Sequence, residues 1–209
     1  MSRFTGPRVK VLRALGVELP GLSSKSIAER PHPPGQHGLQ KVGSRKSEFG
    51  LQLMEKQKLR YNYGLTETQL RRIVIAAKRQ RGATGGNIIE LLERRLDNLV
   101  FRAGFAPTIP AARQLINHGH FALNGKCATI PSIRVRIGER FGPTENGKKI
   151  NLVRSTLAAP SLERPEWIAL EVNTQLAQLT RLPDPDAAPF PVDLQRVVEY
   201  LRISRHGDR

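Results

Sequence analysis

The sequence has a single cysteine, Cys127, among its 209 residues. One thiol cannot form an internal disulfide framework, and it fits a protein that folds in a reducing compartment. The sequence also has no run of about 18 apolar residues, so neither a transmembrane helix nor a membrane partner is expected. The basic N-terminus lacks the apolar core of a secretory signal, and its Pro and Gly content argues against an amphipathic transit helix.

Acidic residues are scarce relative to basic ones. There are 18 Asp and Glu against 34 Lys and Arg, which gives a net charge of +16 and a pI near 11.0. Residues 1–95 carry 19 basic and 7 acidic side chains (+12), residues 96–160 carry 9 and 3 (+6), and residues 161–209 carry 6 and 8 (−2). Such an excess predicts binding to a polyanion through the first three quarters of the chain. At this point the polyanion can be RNA, DNA or an acidic protein.

No stretch carries a complete nucleotide, metal or catalytic motif. The glycine-rich residues 82–86 lack the Gly-Lys-Ser/Thr ending of a phosphate-binding loop. His118 and His120 have only Cys127 as a nearby third ligand, so no metal and no cofactor are expected, while a phosphate or 2′-hydroxyl contact by one histidine stays open. Asp97 stands in an Arg-Leu-Asp triplet that also surrounds the catalytic aspartate of pseudouridine synthases. Its place in a strongly periodic helix favours an ion-pair or surface role instead.

Residues 1–46 show no sustained hydrophobic period and are rich in Gly, Pro, Ser and basic residues. A segment with so few apolar residues is either disordered alone or ordered by a partner, and we expect an extended basic segment. Residues 33–35 (PPG) favour an extended entry and a tight turn, which would present the next two side chains to a nucleic-acid backbone. The alternative is a basic tail that is only solvated. The candidate contacts here are Arg3, Arg8, Gln36 and His37.

Residues 47–95 have helical periodicity and are expected to form a helical domain. Residues 51–60 combine apolar and basic positions, and Tyr61 and Tyr63 follow them. Aromatic side chains beside a basic helix can stack on bases, but packing against the next helix is the favoured interpretation. The candidate contacts on this helix are Lys56, Lys58 and Arg60.

The next helix has clear boundaries. Thr66 and Gln69 form a capping box, and Gly82 supplies the stop. Its polar face is basic, and Glu67 is the only acidic residue that could balance it. Repulsion without compensation favours a phosphate-facing surface over a solvated one. The candidate contacts are Arg71, Arg72, Lys78 and Arg79.

The stretch 93–126 places two short amphipathic patterns, a glycine stop, a short alternating strand and a turn one after another. A second capping box, Asn87 with Glu90, is expected to begin a helix that ends near residue 104. Thr108 can cap the following helix, and Asn124-Gly125 is the favoured two-residue hairpin turn. The cations on the faces left free are Arg95 and Arg102 on a common stripe, Arg113 pointing outward, and Lys126 at the exit of the turn.

The last third of the chain alternates strand and turn patterns. Residues 133–154 predict a strand, a turn and a second strand, and residues 167–172 predict one further strand. Residues 182–193 form a proline-rich acidic loop, and residues 194–201 predict a short closing helix. The acidic quarter is interpreted as a packing and protein-contact region. Residues 133–154 add charge through Arg134, Arg136, Lys148 and Lys149.

Several short motifs together resemble the ribosomal protein uS4 family of the small subunit. They are residues 34–38 (PGQHG), 55–60 (EKQKLR), 95–98 (RLDN), 112–116 (ARQLI) and 123–125 (LNG). Residues 108–118 (TIPAARQLINH) and 59–70 (LRYNYGLTETQL) are most similar to cyanobacterial and plastid members. The chain departs from the family at residues 138–149 and in its ending LRISRHGDR. It also lacks the four cysteines with which some members bind an N-terminal zinc.

The resemblance implies an α+β fold with a mainly helical N-terminal domain and an inserted RNA-binding module of two helices and a small sheet. The implied division is an extended basic segment (1–46), a helical domain (47–95), the module (96–158) and a C-terminal segment (159–209). In that last segment a strand, a loop and a helix would pack back on the N-terminal domain. The implied location is the cytoplasmic ribosome, with the plastid ribosome as the alternative.

The function that the resemblance implies is that of a non-enzymatic structural protein of the small ribosomal subunit. It would bind small-subunit rRNA directly, nucleate subunit assembly, contact ribosomal protein S5 and other small-subunit proteins, influence translational accuracy and lie near the mRNA entry site. One alternative is an RNA-modifying enzyme with the same module, but only 55 residues follow Arg154, too few for a catalytic domain. The other alternative is an autonomous regulator that binds its own message.

Overall fold

The computed structural model describes residues 4–41 and 46–203, which contain nine α-helices, a 3-10 turn at Leu39–Lys41 and five short strands. The helices are α1 (Arg8–Leu15), α2 (Glu48–Asn62), α3 (Glu67–Lys78), α4 (Thr84–Glu93), α5 (Leu96–Arg102), α6 (Ile109–Asn117), α7 (Glu145–Lys148), α8 (Asn151–Ala158) and α9 (Leu194–Ile203). The strands are β1 (Phe121–Leu123), β2 (Lys126–Ala128), β3 (Arg140–Pro143), β4 (Ile168–Glu171) and β5 (Leu176–Leu179). The predicted α+β class is confirmed.

The chain folds as two packing units. Unit 1 is Met1–Ile88 with Ala188–Arg209, and unit 2 is Ile89–Ala187. The sheet explains where unit 2 ends, because β5 pairs with β3 and brings residues beyond 160 into that unit. Only the residues from Ala188 onward belong to unit 1, where α9 packs on α2. The packing units therefore differ from the predicted segments, since the segment 159–209 is divided between them.

The N-terminal part of unit 1 is not simply extended. It contains α1, and Leu12, Leu19 and Leu22 are buried. The amide of Gly21 donates a hydrogen bond of 2.9 Å to Oδ1 of Asn62, which ties this segment to the end of α2. The sequence pattern missed α1 because eight residues with two buried positions give too short a period, and distant helices complete the core.

The capping box of α3 is confirmed, whereas the second predicted box is wrong. The Thr66 hydroxyl accepts from the Gln69 amide (3.3 Å), and the Thr66 amide donates to the Gln69 side chain (3.0 Å). In contrast, α4 begins at Thr84, three residues before Asn87. The Asn87 side chain instead donates to the Ala77 carbonyl near the C-terminus of α3 (3.1 Å). That carbonyl is one of the acceptors that a helix end leaves unpaired.

The helix that was expected to run through Arg95 and Arg102 is broken. Arg95 has an extended backbone (φ −70°, ψ 139°) between α4 and α5. The amides of Leu96 and Asp97 donate to carbonyls of the loop 131–133 (2.9 and 3.0 Å), where a continuous helix would have used carbonyls of α4. Arg95 and Arg102 therefore do not share a helical stripe.

The sheet of unit 2 has the strand order β2-β1-β3-β5-β4, and every pair is antiparallel. The β1–β2 hairpin turns at Asn124 (φ 49°) and Gly125 (φ 78°), so the predicted two-residue turn is confirmed. The rings of Phe105, which follows α5, and Phe121 of β1 are both fully buried and meet edge to face at 5.6 Å.

The prediction of two strands within residues 133–154 is wrong after β3. The Thr144 hydroxyl accepts from the Gly147 amide (3.2 Å), so the Asn-Gly pair that was expected to form a turn lies in α7, and α8 follows. The strand predicted at 167–172 is present as β4, and its partner β5 was not predicted. The closing helix is present as α9. Within the described part of the chain, no helix combines the length and apolarity needed to cross a membrane.

Gly142 in the middle of β3 is expected to be intolerant of any side chain. A Cβ there would lie 2.6 Å from the backbone oxygen of Gln175 and 2.9 Å from a methyl of Leu176. We expect Gly142→Ala to lower the free energy of unfolding of unit 2 by about 1–3 kcal/mol, because strand β5 must move away. The measurement is urea unfolding followed by the fluorescence of Trp167, the only tryptophan, which is buried in the same unit.

Gly125→Ala is the contrasting variant. Unlike Gly142, it has a φ that is unfavourable for alanine (78°), and no atom lies within 4 Å of the added Cβ. It should therefore show only backbone strain, about 1 kcal/mol. A Gly142→Ala variant as stable as the unmodified chain would show that the contact with β5 does not limit packing at Gly142.

Candidate nucleic-acid interface

The positive charge is concentrated in unit 1. That unit carries 21 basic and 8 acidic side chains (+13), whereas unit 2 carries 13 and 10 (+3). A uniform polyanion-binding surface would need similar excesses in both units. The excess charge that could attract a polyanion therefore lies mainly in unit 1, and each unit is described separately below.

Helix α3 presents the clearest basic face. Leu70, Ile73, Val74 and Ala77 are buried, and the four predicted cations Arg71, Arg72, Lys78 and Arg79 are exposed. We name the three cations Arg72, Lys78 and Arg79 the α3 face; none of their side chains has a hydrogen-bond or ion-pair partner among the described residues. Arg71 does have a partner.

The acidic residue of α3 is already engaged by a neighbour. Glu67 accepts from Lys56 Nζ of α2 at 3.0 Å. Its carboxylate is therefore shared with another helix. Charge on α3 is thus compensated in part, since Arg71 has a partner, while the α3 face has none among the described residues.

Two predicted cations of α2 lie inside unit 1. Lys56 and Lys58 are only 4% and 9% exposed. Lys56 also lies 4.7 Å from the centre of the Tyr200 ring of α9, and Lys58 pairs with Glu55 at 2.6 Å. Lys56 thus holds α2 to α3 and α9, and Lys58 reaches beyond α2 only through the Pro191 carbonyl (3.4 Å). Their periodicity did not distinguish this position from a solvent-facing one, because long lysine stems cross apolar surface.

The aromatic residues after α2 have different environments. Tyr63 is 1% exposed and its ring lies 6.2 Å from that of Phe190, so it packs in unit 1. Tyr61 is only partly buried, meets Phe4 edge to face at 5.2 Å and has the Arg60 guanidinium 5.2 Å from its ring centre. The Arg60 side chain also donates to Gln57 (3.2 Å).

The predicted N-terminal candidates lie at the surface where they are described. Arg8, Gln36 and His37 are exposed, and His37 Nδ1 lies 3.0 Å from the Gln40 side-chain oxygen. The turn before them has Gly35 at φ 108°, a conformation that favours glycine. Arg3 lies outside the described residues.

In unit 2, two of the predicted cations converge on one buried carboxylate. Arg95 Nε and Nη2 donate to the two oxygens of Asp97 (3.0 and 2.9 Å), and Arg113 Nε donates to Oδ2 (2.7 Å). The Asp97 side chain is 1% exposed and also accepts from the Asn98 amide (2.9 Å). We call Arg95, Asp97 and Arg113 the Asp97 cluster. A carboxylate with both oxygens engaged by guanidinium groups is a structural ion pair, as favoured for Asp97, and is unsuited to attack a substrate.

Arg102 is a second internal arginine. Its Nη2 donates to the Ala187 carbonyl (3.1 Å), its Nε lies 3.4 Å from the buried Glu93 carboxylate, and its guanidinium lies 5.9 Å from the Trp167 ring centre. Only 8% of Arg102 is exposed. It therefore holds α5 to the rest of unit 2 and presents almost no surface to a ligand.

Other cations of unit 2 lie at the surface. Lys126 was predicted and is exposed. The candidate list omitted the exposed cations Arg134, Arg136, Arg140 and Lys149. It also omitted Arg154 and Arg181, which are exposed but engaged by the Lys148 carbonyl and the Glu166 carboxylate. The alternation Arg134-Val135-Arg136, with Val135 fully buried, was the available signal that the two arginines point away from the core. Lys148 differs from them, since its hydrogen bond to Glu145 (2.8 Å) lowers the pKa of that carboxylate and compensates the lysine charge.

The histidine pair shows no ligand geometry. The rings of His118 and His120 are 6.1 Å apart, and Cys127 Sγ is exposed, 3.5 Å from the Gly119 carbonyl oxygen. Among residues 4–41 and 46–203, no group of three His, Cys, Asp or Glu side chains is placed to hold a metal ion.

Two family models match the chain in succession. Residues 3–93 match the model described as "Ribosomal protein S4/S9 N-terminal domain", and residues 94–141 match the "S4 domain". The junction between the matches coincides with the break between α4 and α5. The S4-domain match covers the Asp97 cluster and the β1–β2 hairpin.

Full-length relatives share the same description. The chain is 58% identical over 200 residues to "Small ribosomal subunit protein uS4" of Methylobacillus flagellatus, covering 96% of this chain and 98% of that protein. It is 54% identical to "Small ribosomal subunit protein uS4B" of Nitrosomonas europaea over the same shares. The uS4 protein of Synechococcus elongatus is 46% identical, again over 96% and 98%. The predicted similarity to cyanobacterial proteins is thus confirmed, and the first two relatives are more similar still.

Proposed function

We propose that this chain, which belongs to the ribosomal protein uS4 family of the small subunit, holds small-subunit rRNA through the α3 face and the exposed arginines of unit 2. Membership of the family makes it a structural component of the ribosome and not an enzyme, as the sequence predicted. The observation that carries the proposal is the α3 face. Its three exposed cations have no partner among the described residues, and the carboxylate of α3, Glu67, is shared with Lys56.

The contacts are proposed to be mainly to phosphate groups. Phosphate contacts position a protein on RNA, and shape governs recognition more than base edges do. The exposed candidates for such contacts are Arg8, Gln36, His37, Arg71, Arg72, Lys78, Arg79, Lys126, Arg134, Arg136, Arg140 and Lys149. The less exposed candidates Lys56, Lys58, Arg60, Arg95, Arg102 and Arg113 would act chiefly by holding these surfaces in place, with Arg95 as the exception argued below.

An enzymatic role for the same module is not favoured. The Asp97 carboxylate is 1% exposed and bonded to two guanidinium groups, so a nucleobase of an RNA substrate could not reach it. Asp97→Asn should therefore change stability without abolishing any turnover of RNA.

Binding of the chain to its own message stays compatible with rRNA binding, because both would use the same cations.

Protein and mRNA partners are the finer part of the proposal. Residues 161–187 carry 2 basic and 5 acidic side chains, and Val172 and Leu182 are exposed there (69% and 42%). An acidic surface with exposed apolar side chains suits a basic ribosomal protein, and we propose S5 together with other small-subunit proteins. Nucleation of assembly, an influence on translational accuracy, proximity to mRNA at its entry site and residence in cytoplasmic or plastid ribosomes belong to this proposal.

Chemical footprinting of free small-subunit rRNA tests the proposed function. With the full chain bound, we expect protection confined to one junction of RNA helices. The logarithm of the association constant should fall linearly with the logarithm of salt concentration. If about 6–10 phosphates are contacted, the affinity should fall by a factor of roughly 10³–10⁵ between 50 and 200 mM salt. Diffuse protection, or an affinity that does not depend on salt, would contradict specific phosphate-based binding.

A further inference from the structure

Two arginines face each other directly in unit 2. Arg95 and Arg134 form an isolated antiparallel bridge. The Val135 amide donates to the Arg94 carbonyl (2.9 Å), and the Leu96 amide donates to the Ile133 carbonyl (2.9 Å). These bonds flank the two arginines, which are therefore a non-hydrogen-bonded pair. In such a pair the Cα atoms are about 4.5 Å apart and the side chains are closest.

Like charges at directly opposed positions are destabilising unless something compensates them. Asp97 binds Arg95 through two hydrogen bonds, but the same carboxylate also accepts from Arg113. Two guanidinium groups therefore share the Asp97 carboxylate, and that of Arg134 is not one of them. Arg134 is exposed, and its side chain has no hydrogen-bond or ion-pair partner within the described ranges. An anion between Arg95 and Arg134 would remove the repulsion.

The two arginines differ in exposure and in bonding in a way that suits an anion site. Arg95 is 8% exposed and its guanidinium is held on two sides by Asp97, so it loses little freedom on binding. Its fork of five N–H donors still has donors beyond the two that Asp97 uses. Arg134 can close from the solvent side, because Val135 next to it is buried on the opposite face.

We propose that Arg95 and Arg134 bind one phosphate group together and that Asp97 is the positioning residue that orients Arg95. Guanidinium groups bind phosphate through paired N–H donors, which an ammonium group cannot do. The inference rests on the proposed function, in that the phosphate belongs to the backbone of small-subunit rRNA. It assigns to Arg95, a buried residue, a ligand contact that its low exposure conceals.

A titration of the full chain with inorganic phosphate tests whether the two arginines act together. The Nε–Hε NMR signals of Arg95 and Arg134 should shift along one common saturable curve at constant ionic strength. In Arg134→Ala the Arg95 signal should no longer respond. The Trp167 unfolding transition should not move to lower urea, because the Arg134 side chain has no partner in the described structure and its removal relieves the repulsion from Arg95. Arg181→Ala is the matched control, since Arg181 is an exposed arginine of the same unit that is paired with Glu166 (3.0 Å) and Asp184 (3.5 Å).

The phosphate titration would overturn the joint site in two ways. One is a linear, unsaturated shift of the same size at Arg181. The other is an Arg95 response that persists in Arg134→Ala.

Binding to small-subunit rRNA tests the ligand. Arg134→Ala should weaken binding about tenfold at 0.1 M salt and reduce the slope of log affinity against log salt by roughly 0.7–0.9, the value for one phosphate contact. Arg134→Lys should keep the slope but recover only part of the affinity, since it retains the charge without the fork. Arg181→Ala should leave both unchanged, because its charge is already neutralised.

The outcomes separate the inference from the proposed function. If the unmodified chain shows no saturable binding to the rRNA, the proposed function is wrong. If it binds and Arg134→Ala binds equally well with the same slope, the inference is wrong and the proposed function stands.

Discussion

Replacing Asp97 by alanine is expected to lower the free energy of unfolding of unit 2 by about 3–5 kcal/mol. The substitution leaves the guanidinium group of Arg95, 8% exposed, without its counter-charge and deprives Arg113 of its bond to the same carboxylate. Breaking a buried ion pair by removing one partner costs this much because the remaining charge stays desolvated. Urea unfolding followed by Trp167 fluorescence measures the change, since that side chain is 2% exposed in the same unit.

Two further variants define the cause of the loss. Asp97→Asn keeps the shape and one acceptor oxygen, so its loss should be smaller than that of the alanine variant. Asp184→Ala removes an exposed carboxylate that lies 3.5 Å from Arg181, and it should change stability by less than about 1 kcal/mol. An Asp97→Ala transition within 1 kcal/mol of the unmodified chain would show that the Asp97 cluster is not a buried ion pair in solution.

Simultaneous replacement of Arg72, Lys78 and Arg79 by alanine is expected to weaken binding to small-subunit rRNA by roughly 10²-fold at 0.1 M salt. Each phosphate contact contributes about 0.7–0.9 to the slope of log affinity against log salt, so the slope should fall by about 2–3. The three side chains are exposed and have no partner in the described structure, so the helix itself should stay folded. Filter binding or fluorescence anisotropy at several salt concentrations gives both quantities.

A matched triple variant controls for loss of net charge. Lys148, Arg181 and Arg196 are cations that already pair with carboxylates, at 2.8, 3.0 and 3.4 Å for their nearest partners. Replacing these three by alanine lowers the net charge by the same three units but should leave the salt slope nearly unchanged. Equal losses in the two triple variants would mean that the chain attracts RNA only through its total charge, and the α3 face would have no special role.

Local signals in the sequence predicted local structure well. The capping box at Thr66 and the turn at Asn124-Gly125 depend on neighbouring residues alone, and both are present. Asn87 shows the limit of such signals, because an asparagine that can begin one helix can equally bond the last carbonyls of the preceding one. The choice depends on how α3 and α4 pack, which their spacing does not state.

Long-range pairing explains the elements that the sequence did not predict. Residues 144–158 have the Gly, Asn and apolar pattern of a hairpin, but β3 takes β5 as its neighbour and leaves them to form α7 and α8. The break at Arg95 likewise requires the loop 131–133 to compete for two amides. Neither partner is close in sequence, so no periodicity within the helix indicates it.

The sequence by itself determined the family, the excess of positive charge, its concentration toward the N-terminal part and the basic face of α3. Each depends on composition or on the spacing of residues within one element. The tertiary structure alone decided which cations are available to RNA. Lys56, Lys58 and Arg102 have the same spacing signals as exposed cations. Carboxylates or rings distant in sequence engage Lys56 and Arg102, and the Pro191 carbonyl engages Lys58. Periodicity shows which side of a helix is not apolar, and only the packed chain shows whether a counter-charge already lies there.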